Sequence, residues 1–227
     1  MARFRYRVPG ALALLACLFA SSTIATEIAG KIVLGKAAIK KTASPGIYDL
    51  RGMAPPKMGG QEGSPFHRVA VWIEQDEPVS VVPATAKMRQ SGRRFDPDFV
   101  VVPVGSSVDF PNLDPIFHNI FSLSRSESFD LGYYSEGRSR RVTFSHSGVV
   151  QVYCHIHPGM YGVIVVTPTA WSAIPGDDGS FGWTGIPPGE YRLAVWQKKS
   201  GLVKKRLNVP PSGTIHLTIA LPEENDE

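Results

Sequence analysis

Cysteine is nearly absent from this sequence: Cys17 and Cys154 are the only two in 227 residues. A small fold stapled by several disulfides is thereby excluded. Helical periodicity is missing as well, since no long segment repeats apolar residues at i, i+3, i+4 and i+7. There is no convincing membrane span either, because the apolar run Ala11 to Ala20 is short and ends at Ser21-Ser22-Thr23. Also lacking are a Ser-His-Asp pattern, a paired-carboxylate setting and a phosphate-binding glycine loop.

The first 25 residues read as an export signal. Arg3, Arg5 and Arg7 form a basic start, Ala11 to Ala20 an apolar centre, and Thr23-Ile24-Ala25 a small-residue site. Cleavage after Ala25 and a periplasmic or otherwise exported protein are expected. Leu14-Leu15-Ala16-Cys17 offers a second reading, a lipid anchor at Cys17. The chain carries 24 Lys and Arg against 20 Asp and Glu; with the three leader arginines gone, 21 oppose 20. So near a balance excludes the basic field that nucleic-acid binding needs. Two local runs, Arg138-Ser139-Arg140-Arg141 and Lys198 to Arg206, read as solvated strand ends.

The remainder reads as all-β. Runs rich in Val, Ile, Phe and Tyr recur between turn residues, among them 30–34, 69–74, 99–104, 107–110, 141–145, 149–154, 162–166, 191–196 and 214–220. The stretch Thr214 to Ile219 alternates, which points Ile215, Leu217 and Ile219 into a core and His216 outward. Gly (22) and Pro (19) are frequent enough for a turn-rich sandwich or barrel. Pro45 to Pro65, rich in Gly, Pro and Met, reads as a long loop.

If Cys17 leaves with the leader, Cys154 is the one thiol of an exported protein and has no internal partner. Its surroundings argue for a metal. Tyr153-Cys154-His155-Ile156-His157-Pro158-Gly159-Met160 follows one strand and precedes another, so Cys154, His157 and Met160 can turn toward one point. Thiolate, imidazole and a weak thioether together suit copper, whereas thioether is a poor ligand for zinc. A further ligand must come from elsewhere, and His118 lies 36 residues upstream, after the turn Pro111 to Pro115. His155 is read as a neighbour of the site or a surface residue, with ligation in place of His157 left open. His67, His146 and His216 stand singly and read as non-ligands. Met53, Met58 and Met88 are scattered and read as packing residues.

His118-Asn119 upstream, with Cys154, His157 and Met160 downstream at two-residue intervals, resembles the cupredoxins, especially the short-loop amicyanin group. The resemblance covers roughly residues 83–167. It implies a Greek-key β-sandwich holding one type 1 (blue) copper ion, with His118, Cys154 and His157 as trigonal ligands and Met160 as the long axial one. It further implies that Asn119 ties the two ligand loops together, and that His157 lies near a docking surface with Pro158, Met160 and Phe117 around it. The sequence departs from the pattern at His155, where small cupredoxins more often carry Ser or Thr. Six histidines are too few for the trinuclear cluster of a multicopper oxidase. A broader similarity is to exported proteins labelled methylamine-utilisation proteins.

Asp178-Gly179-Ser180-Phe181 and Ile186-Pro187-Pro188-Gly189-Glu190-Tyr191-Arg192-Leu193 resemble the carboxypeptidase regulatory-like, carbohydrate-binding-like β-sandwich. That family's opening strands are missing at this end, and 30–33 and 69–73 can supply them. The expected organisation is a signal (1–25), an N-terminal part of a split sandwich (26–82), a cupredoxin (83–167), the C-terminal part of the sandwich (168–222) and an acidic tail (223–227). The function implied is electron transfer, without enzymatic activity, to an unidentified redox partner protein. The alternatives are a copper carrier or sensor without redox turnover, and a carbohydrate- or partner-binding module with a vestigial site.

Overall fold

The computed structural model describes residues 26–35, 64–77 and 79–222. The leader with its Cys17, most of the Pro45–Pro65 stretch with Met53 and Met58, and the tail 223–227 lie outside the described residues. Within them the protein is all-β, without a helix, and its strands form a cupredoxin-like β-sandwich beside a second β unit.

The first sandwich faces a five-stranded sheet against a three-stranded one. The large sheet runs β6 (Phe99–Pro103), β12 (Tyr161–Thr167), β11 (Gly148–Cys154), β8 (His118–Ser124) and β9 (Glu127–Tyr134). The small sheet runs β10 (Ser139–Thr143), β7 (Ser107–Pro111) and β3 (Thr85–Lys87). Because β7 and β10 belong to the opposite sheet from their sequence neighbours, the chain crosses between layers repeatedly, as Greek-key sandwiches do. Alternate residues of the facing strands fill the core, including Val108, Phe110, Ile120, Val150, Val152 and Ile164. Met88 is wholly buried there. A hairpin, β4 (Arg89–Ser91) and β5 (Arg94–Asp96), closes one side.

The second unit is built from both ends of the described chain. β1 (Thr26–Gly35) lies between β14 (Ser180–Ile186) and β17 (Thr214–Pro222), antiparallel to the first and parallel to the second. β2 (Val69–Glu74) lies between β13 (Ser172–Ala173) and β15 (Gly189–Gln197), and β16 (Gly201–Val209) forms the edge. Ile32 and Val71 share one apolar core with Leu193 and Val195. Ile219 is buried, Ile215 and Leu217 pack against the same core, and His216 is exposed, following the alternation of β17. Lys204, Lys205 and Arg206 lie within the edge strand β16 and not at a strand end, where charge guards an unpaired edge.

The strand β2 is buried along its whole length, which explains its unbroken apolar run. One face meets the second core. The other carries Ala70 and Trp72, which pack with Ala194 and Trp196 against Phe99, Val163 and Val165 of the first sandwich. Phe99 and Trp196 stack with centroids 5.6 Å apart. Arg68 and Asp98 pair at the border of this seam at 2.5 Å.

Candidate metal centre

The site forms where β11 ends and β8 begins. The two strands pair antiparallel, with Cys154 opposite Ile120 and Tyr153 opposite Phe121, so Cys154 arrives beside His118. The loop after β11 closes on itself. Met160 N–H donates to the His157 carbonyl (2.9 Å), and Cys154 N–H to the Met160 carbonyl (3.2 Å). His155 N–H donates to the Asn119 carbonyl (3.0 Å), joining the two ligand segments. Asn119 thus ties the loops through its main chain. Its side-chain amide instead donates to Asp130 on β9 at 2.8 Å.

Three donor atoms converge. Cys154 Sγ lies 3.6 Å from His118 Nδ1 and 3.5 Å from His157 Nδ1, and the two nitrogens are 3.1 Å apart. A point equidistant from all three falls about 2.0 Å from each, close to the roughly 2.0–2.3 Å of zinc–imidazole and zinc–thiolate bonds, a fair yardstick for a first-row divalent ion. The residues therefore fit a metal, and the mixture of one thiolate and two imidazoles favours a soft or borderline one. His118 and Cys154 are buried and His157 is half-buried, so the triangle is dry on one side and close to solvent on the other. Among the described residues no other such group of three potential donors converges.

Met160 is fully buried in the same core as Cys154. It therefore contributes nothing to an exposed face around His157, contrary to the expectation from the resemblance. Exposed apolar residues do lie on the two segments that carry the histidines: Leu113, Ile116 and Phe117 (57% exposed) just before His118, and Ile156 and Pro158 on either side of His157. His155 is exposed, packs on the Phe121 ring at 5.9 Å, and is not one of the converging donors. Burial, joined by the nearby His118 and Arg93, pushes the His157 imidazole below its ordinary pKa, toward the neutral form that can ligate a metal.

Sequence reasoning passed over Asn112 and Asp114, which appeared only as turn residues. Asn112 is wholly buried. Its Oδ1 accepts from Asp114 N–H (2.9 Å), and its Nδ2 donates to the carbonyls of Ile116 (2.8 Å) and Tyr134 (3.2 Å). Asp114 Oδ2 accepts from His118 Nε2 at 2.9 Å. Burial alone would raise the Asp114 pKa, but the N–H groups of Arg93 and Gly92, with His118, outweigh it and hold the carboxyl below its usual range. A side-chain-bonded Asn-x-Asp turn four residues before a histidine is the one local signal that could have drawn attention to them.

No family model matches the chain, and no curated protein matches it. Solved structures give partial likenesses. A copper-containing nitrite reductase from Thermus scotoductus SA-01 is 28% identical over 40% of this chain and 25% of its own, with a TM-score of 0.35. A purple cupredoxin from Nitrosopumilus maritimus is 24% identical over 36% of this chain and 99% of its own, at 0.33. A mutant of amicyanin in its Cu(I) form is 19% identical over 37% of this chain and 82% of its own, at 0.35. The chain thus spans a quarter of the nitrite reductase's length. Likenesses this partial do not assign a family.

Proposed function

We propose that this chain is an exported type 1 copper protein that carries single electrons between partner proteins. The observation that carries the reading is the convergence of Cys154 Sγ, His118 Nδ1 and His157 Nδ1 on one point, with Cys154 and His118 buried. Those three residues would hold one copper ion, with Met160 as a fourth, weaker donor. Copper so held supplies one-electron chemistry with little rearrangement.

The protein's own residues set the conditions for that chemistry. The β8–β11 pairing fixes the distance between Cys154 and His118, and the closed 154–160 loop fixes His157 against both. The core behind Cys154 excludes water from one side of the site. Half-buried His157 leaves a short route to the surface, and the exposed apolar residues Leu113, Ile116, Phe117 and Ile156 are where a redox partner would dock. With four protein donors no position remains for a substrate, so catalysis is not part of the proposal.

The strand pairings support treating residues 26–82 and 168–222 as one unit around the copper domain. We assign that unit a spacing or docking role and no sugar ligand, since fold alone does not specify one. The leader 1–25 supports export. Voltammetry of the copper-loaded protein tests the electron-carrier reading. A reversible one-electron wave with the metal retained through repeated cycles is expected. Loss of copper on reduction would instead support a copper carrier.

A further inference from the structure

The carboxylate of Asp114 lies at a junction between the candidate ligands and a part of the fold that has no ligand in it. It is buried, and both of its oxygens are engaged. Oδ1 accepts from Gly92 N–H at 2.6 Å, while Oδ2 accepts from Arg93 N–H at 2.8 Å and from His118 Nε2 at 2.9 Å. Gly92 and Arg93 form the two-residue turn of the β4–β5 hairpin, with φ of 61° and 58°. Positive φ at both central residues is the conformation such a tight hairpin needs, but an arginine adopts it reluctantly. The Asp114 bonds to both N–H groups give that turn a reason to persist. Asp114 is fixed in its own turn by Asn112. The carboxylate is therefore held from two sides independently of His118.

We propose that Asp114 is a positioning residue for the metal: it fixes His118 as the Nε2–H tautomer with Nδ1 bare toward Cys154 and His157, and its negative charge lowers the reduction potential of bound copper. A neutral imidazole whose Nε2–H donates to a carboxylate presents Nδ1 as a lone pair, the state a metal requires. A hydrogen-bonded carboxylate also raises the basicity of the ligating nitrogen and places negative charge one ring away from the ion. Both effects favour the more highly charged oxidation state. The tautomer claim stands on this chain alone, and the potential claim rests on the copper reading above.

Two measurements test it. In the metal-free wild type, nitrogen-15 correlation spectra of the imidazoles should show His118 protonated at Nε2 and bare at Nδ1. The opposite tautomer overturns the proposal. In the copper-loaded protein, Asp114→Asn should keep the visible absorption but shift the balance toward the reduced form by on the order of tenfold, which is about 59 mV upward for a one-electron couple. A variant that keeps its absorption with an unchanged potential also overturns it. If Asp114→Asn does not hold copper, Asp114→Glu decides: retention of the charge should restore binding and a potential near the wild-type value, and failure to do so counts against the proposal. A wild type that gives no blue site would defeat the proposed function while leaving the tautomer measurement valid.

Discussion

Replacing Asn112 with alanine should loosen the candidate site before any metal is considered. The Asn112 side chain makes three hydrogen bonds, to Asp114 N–H and to the carbonyls of Ile116 and Tyr134, at 2.9, 2.8 and 3.2 Å. Each such bond contributes about 1 kcal/mol net, and buried partners left unsatisfied add to the cost, so Asn112→Ala should destabilise the metal-free protein by about 3 kcal/mol. The loss is local in origin. It frees the turn that carries Asp114 and enters β8 at His118. Urea unfolding of the metal-free variant and wild type, followed by tryptophan fluorescence, would measure the difference as a shift in midpoint at constant slope. Adding copper should widen the deficit, since a ligand that binds only the folded form stabilises it by mass action and the loosened site holds the metal less tightly. A destabilisation below about 1 kcal/mol would show that the turn holds its shape without Asn112 and refute the reasoning.

Three further outcomes follow from the same structure. Trp196→Ala removes the stacking partner of Phe99 at the seam and should cost about 3–5 kcal/mol, lowering the midpoints of both sandwiches together; separate transitions, with only one affected, would contradict a shared seam. Glu74 is held below the ordinary carboxylate range: burial opposes ionisation, but Lys204, Trp72 and Arg192 outweigh it. Its contribution to stability is then full above the unfolded pKa and lost as pH falls through the lower folded one, so Glu74→Gln should flatten the acid limb of the melting-temperature profile; an unaltered slope would count against the pairing. His155→Ala should leave the copper-dependent absorption intact whereas His157→Ala should abolish or displace it, because only His157 Nδ1 joins the converging donors; the reverse pattern would exchange their roles.

The candidate donors were legible because their signal is local and chemical. A lone thiol at the end of an apolar strand, with His157 and Met160 at regular steps, marks a candidate metal-binding loop without three-dimensional help. His118 needed only the order of motifs. Asp114 was not legible, because Asp-Pro in a turn reads as punctuation, and its role depends on the Gly92–Arg93 hairpin more than twenty residues away. Much of the fold followed from alternation, as in β17, and from unbroken apolar runs, as in β2. Strands broken by turn-forming or charged residues were harder. β9 contains Asp130 and Gly132, and β16 carries exposed Lys204, Lys205 and Arg206 as an edge strand, so each lacks the apolar pattern that marks a core strand. The burial of Met160 was missed for another reason: family likeness suggests which residues surround a ligand but not which way each one faces.

The most direct test of the central claim is the visible spectrum of purified protein titrated with Cu(II). The account predicts an intense thiolate-to-copper absorption that saturates at one ion per chain and is absent from Cys154→Ser. A wild type that stays colourless with its Cys154 thiol intact, or an absorption that survives in Cys154→Ser, would contradict it.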